Sequence, residues 1–301
     1  MPRRFLAFAF ALAALAACGC PMLGGPAPTK GPAAVVEAAV ALPNENGSLK
    51  FAVLGDFGTG FRPEYELASR MIEVHKTFPF EMVLLVGDNL YGAERPQDFK
   101  SKFETPYKPL LDAGVKFYGA LGNHDAREQR FYESFNMGGK LYYSFHAPHE
   151  PIRFFVLDST YPVPDQIEWL KKELEDSKED WKIAYFHHPL YTTARRGPEV
   201  EVRAVLEPLF VKYGVDVVFS GHEHIYERYK PQKGIYYFTV GGAAKLRRGD
   251  THPSPLLSAR FDRDRSFLLA EIAGDSLYFQ TVSRTGAVVD KGVLARREVR
   301  P

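Results

Sequence analysis

Met82-Val83-Leu84-Leu85-Val86-Gly87-Asp88-Asn89-Leu90-Tyr91 carries the rule on which the rest of the chain is built. Five apolar residues in a row are too few for an ordinary helix and read as a strand covered on both faces. Gly87 allows a sharp turn, and Asp88 and Tyr91 stand just beyond it. The same grammar recurs on either side. Leu49–Leu54 ends in Gly55-Asp56, and Val115–Leu121 ends in Gly122-Asn123-His124-Asp125. Lys182–Phe186 runs into His187-His188-Pro189, and Val215–Phe219 leads to Gly221-His222-Glu223-His224. Between these strands, Pro63 to Lys76 has helical spacing with proline at its start, and Asp165 to Ser177 carries Ile167, Leu170 and Leu174 on one side. Tyr142–Phe145 and Arg153–Leu157 read as paired strands, and Ile235–Val240, Phe267–Ile272 and Ser276–Val282 follow without helices between them. The pattern predicts one α/β domain over residues 49–301, without internal repeats.

The formal net charge of +1 gives no electrostatic case for a nucleic-acid partner. Cys18 and Cys20 are the only cysteines, so the folded domain has no internal disulfide. Arg3 and Arg4 precede an apolar run from Phe5 to Ala17. A helix of that length reaches only about 20 Å, short of a hydrocarbon core of about 30 Å. Residues 1–17 therefore read as an export signal. Leu15-Ala16-Ala17-Cys18 resembles a bacterial lipobox, in which cleavage leaves Cys18 as a lipid-bearing N-terminus. The expectation is an exported lipoprotein on the periplasmic or cell-surface side, held to the membrane only through Cys18. Residues 18–48, rich in Pro, Ala and Gly, read as a tether.

The loops after the five strands supply Asp56, Asp88, Tyr91, Asn123, His187, His222 and His224. Taken singly, each has an ordinary explanation: Gly-Asp at a strand end is a turn or cap, and a lone histidine a hydrogen-bonded structural residue. Together they are all metal-ligand types at the edge of the sheet where ligands gather. One aspartate has two oxygens and can bridge two cations about 3.5–4 Å apart. On an extended segment His222 and His224 project to one face, and Glu223 to the other, as a structural residue. A tyrosine phenolate is a hard anionic donor that favours a trivalent ion such as Fe(III).

These blocks, GDFGTG, GDNLY, GNHD, AYFHHP and GHEHIYER, resemble the signature of purple acid phosphatases within the calcineurin-like metallophosphoesterases. The resemblance runs from Asp56 to His224, and the tail is similar to the closing strands of that family. It implies a sandwich of two mixed β-sheets flanked by helices, with residues 49–301 as the catalytic domain. It also implies one site of Asp56, Tyr91 and His224 holding Fe(III), and a second of Asn123, His187 and His222 holding divalent Fe, Zn or Mn. Asp88 would bridge them. The implied activity is hydrolysis of a small-molecule phosphomonoester by in-line attack of a metal-bound hydroxide. His124 would contact the phosphate or protonate the leaving oxygen, and His188 would line the pocket or simply pack.

One position departs from the pattern. Where small mammalian-type enzymes carry a histidine before Gly-Pro, this chain has Arg196, in TTARRGP. Arg195 and Arg196 read either as a phosphate clamp or as a solvated loop pair. Two rival functions remain: a calcineurin-like phosphodiesterase or nucleotide hydrolase with two divalent ions, and a surface lipoprotein that keeps the fold only for binding.

Overall fold

The computed structural model describes residues 41–297. The expected leader 1–17, the lipid-bearing Cys18 and the tether as far as residue 40 lie outside the described residues. No helix among the described residues is long and apolar enough to cross a membrane. Residues 41–48 lie along the domain: the Asn44 and Glu45 amides each donate to a carboxylate oxygen of buried Glu271 at 2.6 Å.

Strand β1 (Leu49–Leu54) is followed by helix α1 (Arg62–His75) and strand β2 (Met82–Val86). A helical stretch then joins α2 (Pro96–Phe99), a π-helical turn over Lys100–Glu104 and α3 (Thr105–Asp112), and returns to β3 (Lys116–Ala120). The second half runs β4 (Tyr143–His146), β5 (Ile152–Val156), α4 (Pro164–Asp176), β6 (Trp181–Tyr185), α5 (Val200–Tyr213) and β7 (Val217–Ser220). It closes with β8 (Tyr226–Tyr229), β9 (Tyr236–Val240), β10 (Leu257–Phe261), β11 (Ser266–Ala273), β12 (Ser276–Ser283) and β13 (Val288–Ala295).

The strands form two mixed sheets, ordered β13-β12-β11-β1-β2-β3 and β10-β8-β9-β7-β6-β5-β4. In the first, β1, β2 and β3 are parallel while β11 runs antiparallel to β1. In the second, β5, β6, β7 and β9 are parallel. Side chains alternate with the two-residue period of a strand. Ile183 and Tyr185 face the core shared by both sheets, whereas Ala184 and Phe186 join the outer layer with Leu170 of α4 and Leu206 of α5. Phe51 of β1 meets Phe154 and Phe219 of the opposite sheet edge-on, at 5.8 and 6.2 Å between ring centres. Each such pair adds about 0.5–1.5 kcal/mol beyond area burial. Because β1, β2 and β3 run parallel in one sheet and β6 and β7 run parallel in the other, the C-terminal ends of each set fall side by side. The loops after β1, β2 and β3 meet those after β6 and β7 at that shared edge.

Candidate metal centre

Three of the expected ligand residues hold left-handed backbone: Asp56 at φ 58°, Asp88 at 52° and His222 at 67°. Non-glycine residues in that region cost about 1–3 kcal/mol each and persist only where their surroundings fix them. Asp56 is fixed by its amide, which donates to Gly87 O at 3.0 Å, and the His222 amide donates to Asp56 Oδ2 at 2.9 Å. The segment His222–His224 is not extended, as its spacing suggests. The Glu223 and Ile225 amides donate two residues back, to Gly221 O at 2.8 Å and Glu223 O at 2.7 Å, folding it into successive tight turns. Gly87 has φ 90°, and a β-carbon there would stand 2.6 Å from His187 Nδ1, so both its conformation and its size require glycine.

The seven side chains converge as two groups of donor atoms. In the first, Tyr91 Oη lies 3.0 Å from Asp56 Oδ1, 2.9 Å from Asp88 Oδ2 and 3.4 Å from His224 Nε2. His224 Nε2 is 3.3 Å from Asp56 Oδ1. In the second, His187 Nε2 lies 3.2 Å from each of Asn123 Oδ1, Asp88 Oδ1 and His222 Nδ1, and His222 Nδ1 is 2.9 Å from Asn123 Oδ1. Asp88 gives one carboxylate oxygen to each group. Asp56, Asp88 and His187 are fully buried, while Asn123 and His124 stand exposed at the mouth.

These spacings fit bound cations. Ligand atoms about 2.1 Å from one ion stand about 3.0 Å apart at right angles and about 3.4 Å apart at the tetrahedral angle. One phenolic hydrogen cannot satisfy two carboxylates and an imidazole together, so the first group is short of positive charge. Burial, and then the charges of Asp56 and Asp88, push the Tyr91 phenol far above its ordinary range. A strongly charged cation is what would release its proton. In the second group His187 donates through Nδ1 to the Val86 carbonyl at 3.0 Å, which leaves Nε2 directed at the shared point. Burial lowers the pKa of His187, but Asp88 outweighs it and raises the ring to about 9 without metal. Burial and the neighbouring His187, His188 and Arg196 drive His222 down to about 2, into the neutral form that ligates.

The remaining expected residues surround these groups. The His124 amide donates to Asp88 Oδ1 at 3.0 Å, and its ring stands 5.0 Å from that of Tyr91. His188 is buried, with Nδ1 3.0 Å from Ser159 Oγ and its ring 4.4 Å from that of His222. Arg196 is anchored, donating through Nη1 to His222 O at 3.0 Å, whereas Arg195 is 85% exposed with Asp250 at 4.0 Å. Glu223 is buried, and neither carboxylate oxygen has a hydrogen-bond partner among the described residues.

Two residues here carry no role in the sequence reading. Asp125 accepts the amides of Asn89 and Leu90 at 3.0 Å and of Gly122 at 2.8 Å, locking the loops after β2 and β3 together. Its place within GNHD was the available signal. Lys245 lies with Nζ 4.4 Å from the centre of the Tyr91 ring, and nothing in its local sequence announces this.

Residues 49–226 match the model of the calcineurin-like phosphoesterases. The chain belongs to that family. This phosphoesterase is 25% identical over 291 residues to purple acid phosphatase 17 of Arabidopsis thaliana, covering 79% of this chain and 86% of the relative. Among solved structures, GAP50, titled the anchor in the inner membrane complex of Plasmodium, aligns at TM-score 0.69 and 19% identity, over 83% of this chain and 90% of its own. The yellow lupin purple acid phosphatase PPD1 aligns at TM-score 0.67 and 20% identity, over 85% of this chain and 55% of its own. At these identities the structural matches establish the fold, and the donor atoms carry the chemistry.

Proposed function

We propose that this phosphoesterase is a dinuclear metal-dependent phosphatase that hydrolyses small-molecule phosphomonoesters, as the name of its purple acid phosphatase relative suggests. One observation carries the reading: two converging donor groups share the oxygens of a single carboxylate, Asp88. Asp56, Tyr91 and His224 would hold Fe(III), and Asn123, His187 and His222 would hold divalent Fe, Zn or Mn. Bound there, the pair supplies Lewis acidity toward phosphate oxygens and an activated water for in-line displacement.

The chain's own residues do the rest. The buried floor of Asp56, Asp88 and His187 fixes the two centres, and the exposed amide of Asn123 and ring of His124 open toward the substrate. His124, held by its amide on Asp88, donates to the phosphate or to the leaving oxygen. Arg196, tied to the His222 carbonyl, contributes cationic donors on the side of the second group. His188 completes that wall: its amide donates to Ser159 Oγ at 3.0 Å, and its Nδ1 shares a 3.0 Å hydrogen bond with the same hydroxyl. The export signal 1–17, the lipid on Cys18 and a tether up to the docked segment at residue 41 belong to the same proposal and would place the enzyme outside the cytoplasm, anchored to a membrane.

A phosphodiesterase or nucleotide hydrolase with two divalent ions is the competing enzyme. Tyr91 favours the first reading, because its phenolic oxygen stands within 3.4 Å of three donor atoms. A purely binding role would not need the donor set kept whole. Hydrolysis of a chromogenic phosphomonoester by the wild type, compared with Asp88→Asn, tests the proposal. Loss of nearly all activity in the variant supports it, and equal rates reject it.

A further inference from the structure

The mouth of the site carries charge that the proposed reaction does not use. The chain as a whole is nearly neutral at +1, yet Arg196 beside His222, Lys245 beside Tyr91 and Arg247 beside Glu223 gather cations around it. The carboxylates among them, Glu223 and Asp250, are buried beneath. Arg247 Nη1 stands 3.9 Å from both, and Arg195 Nε stands 4.0 Å from Asp250. The two loops are tied together: Asp250 Oδ1 accepts the Arg195 amide at 3.4 Å, and Thr193 Oγ1 accepts the His252 amide at 3.0 Å.

Lys245 is different. It forms no ion pair with any described residue. Lys245 does not reach freely into solvent: its amide donates to Asp56 O at 3.1 Å, and its ammonium lies 4.4 Å from the centre of the Tyr91 ring. This places a half-buried cation beside the first donor group, while Arg196 stands beside the second. A cation held so close to a phosphate site, with no carboxylate of its own, is matched by an anion brought by the ligand.

We infer that Lys245 forms a subsite for a second anionic group, so that the preferred substrate is a phosphate monoester bearing a second phosphate. The inference rests on the phosphatase reading. It concerns selection and leaves the bond being broken unchanged.

The test compares butane-1,4-diol bisphosphate with butyl phosphate on the purified metal-loaded enzyme. The expected kcat/KM ratio is about tenfold in favour of the bisphosphate at low salt, shrinking as added salt screens the exposed charges. Lys245→Met brings the ratio toward one, and Lys245→Arg keeps it. Calorimetry with the non-hydrolysable butane-1,4-bisphosphonate and butylphosphonate gives a second readout, with the same preference and the same loss. If butyl phosphate is hydrolysed but the bisphosphate is not preferred, or the preference survives Lys245→Met, the subsite is wrong and the phosphatase stands. If neither ester is hydrolysed, the phosphatase reading fails. Calorimetry then still decides the subsite, which is overturned if the bisphosphonate binds no more tightly than the monophosphonate.

Discussion

Gly221→Ala adds one methyl group at the point where both donor groups are anchored. A β-carbon there would stand 2.7 Å from Asp56 Oδ2, 2.8 Å from Val86 O and 3.2 Å from Val86 Cγ2. Ordinary carbon–oxygen contacts are about 3.4 Å, so either the loop or its neighbours must move by about 0.6 Å. Asp56 Oδ2 accepts the His222 amide, and Val86 O accepts His187 Nδ1, so the displacement reaches a donor side chain of each group. Gly221 is not in the left-handed region, which leaves steric crowding as the whole effect. Overpacking of this kind costs about 1–3 kcal/mol, or about 3–10 °C in Tm for a domain of this size. Metal retention falls about 10–100-fold, as when residues supporting ligands are removed elsewhere. Gly242→Ala is the control, because its nearest contacts begin at 3.4 Å and its φ is not left-handed. Differential scanning calorimetry and chelator competition measure the two effects. If Gly221→Ala matched Gly242→Ala in both, the reasoning from packed loops to ligand placement would be refuted.

Tyr91→Phe removes the phenolic oxygen that stands within 3.0 Å of Asp56 and Asp88. The iron-loaded wild type should show a visible phenolate charge-transfer band and the variant none, as an absorption spectrum will tell. Asp125→Ala strands three backbone amides, and each lost partner costs about 1–3 kcal/mol. Urea denaturation should therefore show a loss of several kcal/mol, and a loss under about 1 kcal/mol would remove Asp125 from its assigned role. Burial pushes Glu64 up to about 8 from 4.5, against hydrogen bonds from Gly60 and Thr59. The folded chain thus keeps a proton that the unfolded chain releases near 4.5, so this group lowers stability as pH rises from 4.5 toward 8. Glu64→Gln should flatten the Tm-versus-pH curve across that window, by an amount on the order of a few kcal/mol. An unchanged slope counts against it.

Much of this architecture was legible because strand and chemistry are adjacent in the chain. Met82–Val86 is a continuous apolar run and Leu49–Leu54 is apolar but for Lys50, and each observed strand has those bounds. Helix α5 was not read, because Pro208 interrupts it and its apolar residues, among them Val202, Val205, Leu206 and Leu209, leave no clean polar face. The stretch 96–112 was also silent, its three prolines masking α2, the π-helical turn and α3. Strand β8 follows directly on the His222–His224 loop, whose own letters dominate the reading. At the site, residue types gave the donor list, but the backbone of His222 was misjudged. Its left-handed turn is held by Asp56, distant in sequence, which no local spacing discloses. Lys245 was invisible for the same reason: its place over Tyr91 is set by the loop docking on Asp56 O.

The central claim is that one carboxylate serves two metal positions, Asp88 Oδ2 in one group and Oδ1 in the other. Metal content per chain, measured by mass spectrometry on the wild type and on Asp88→Asn, tests it most directly. Two ions in the wild type and one or none in the variant are the predicted result. A wild type that holds a single ion, or a variant that still holds both, would contradict it.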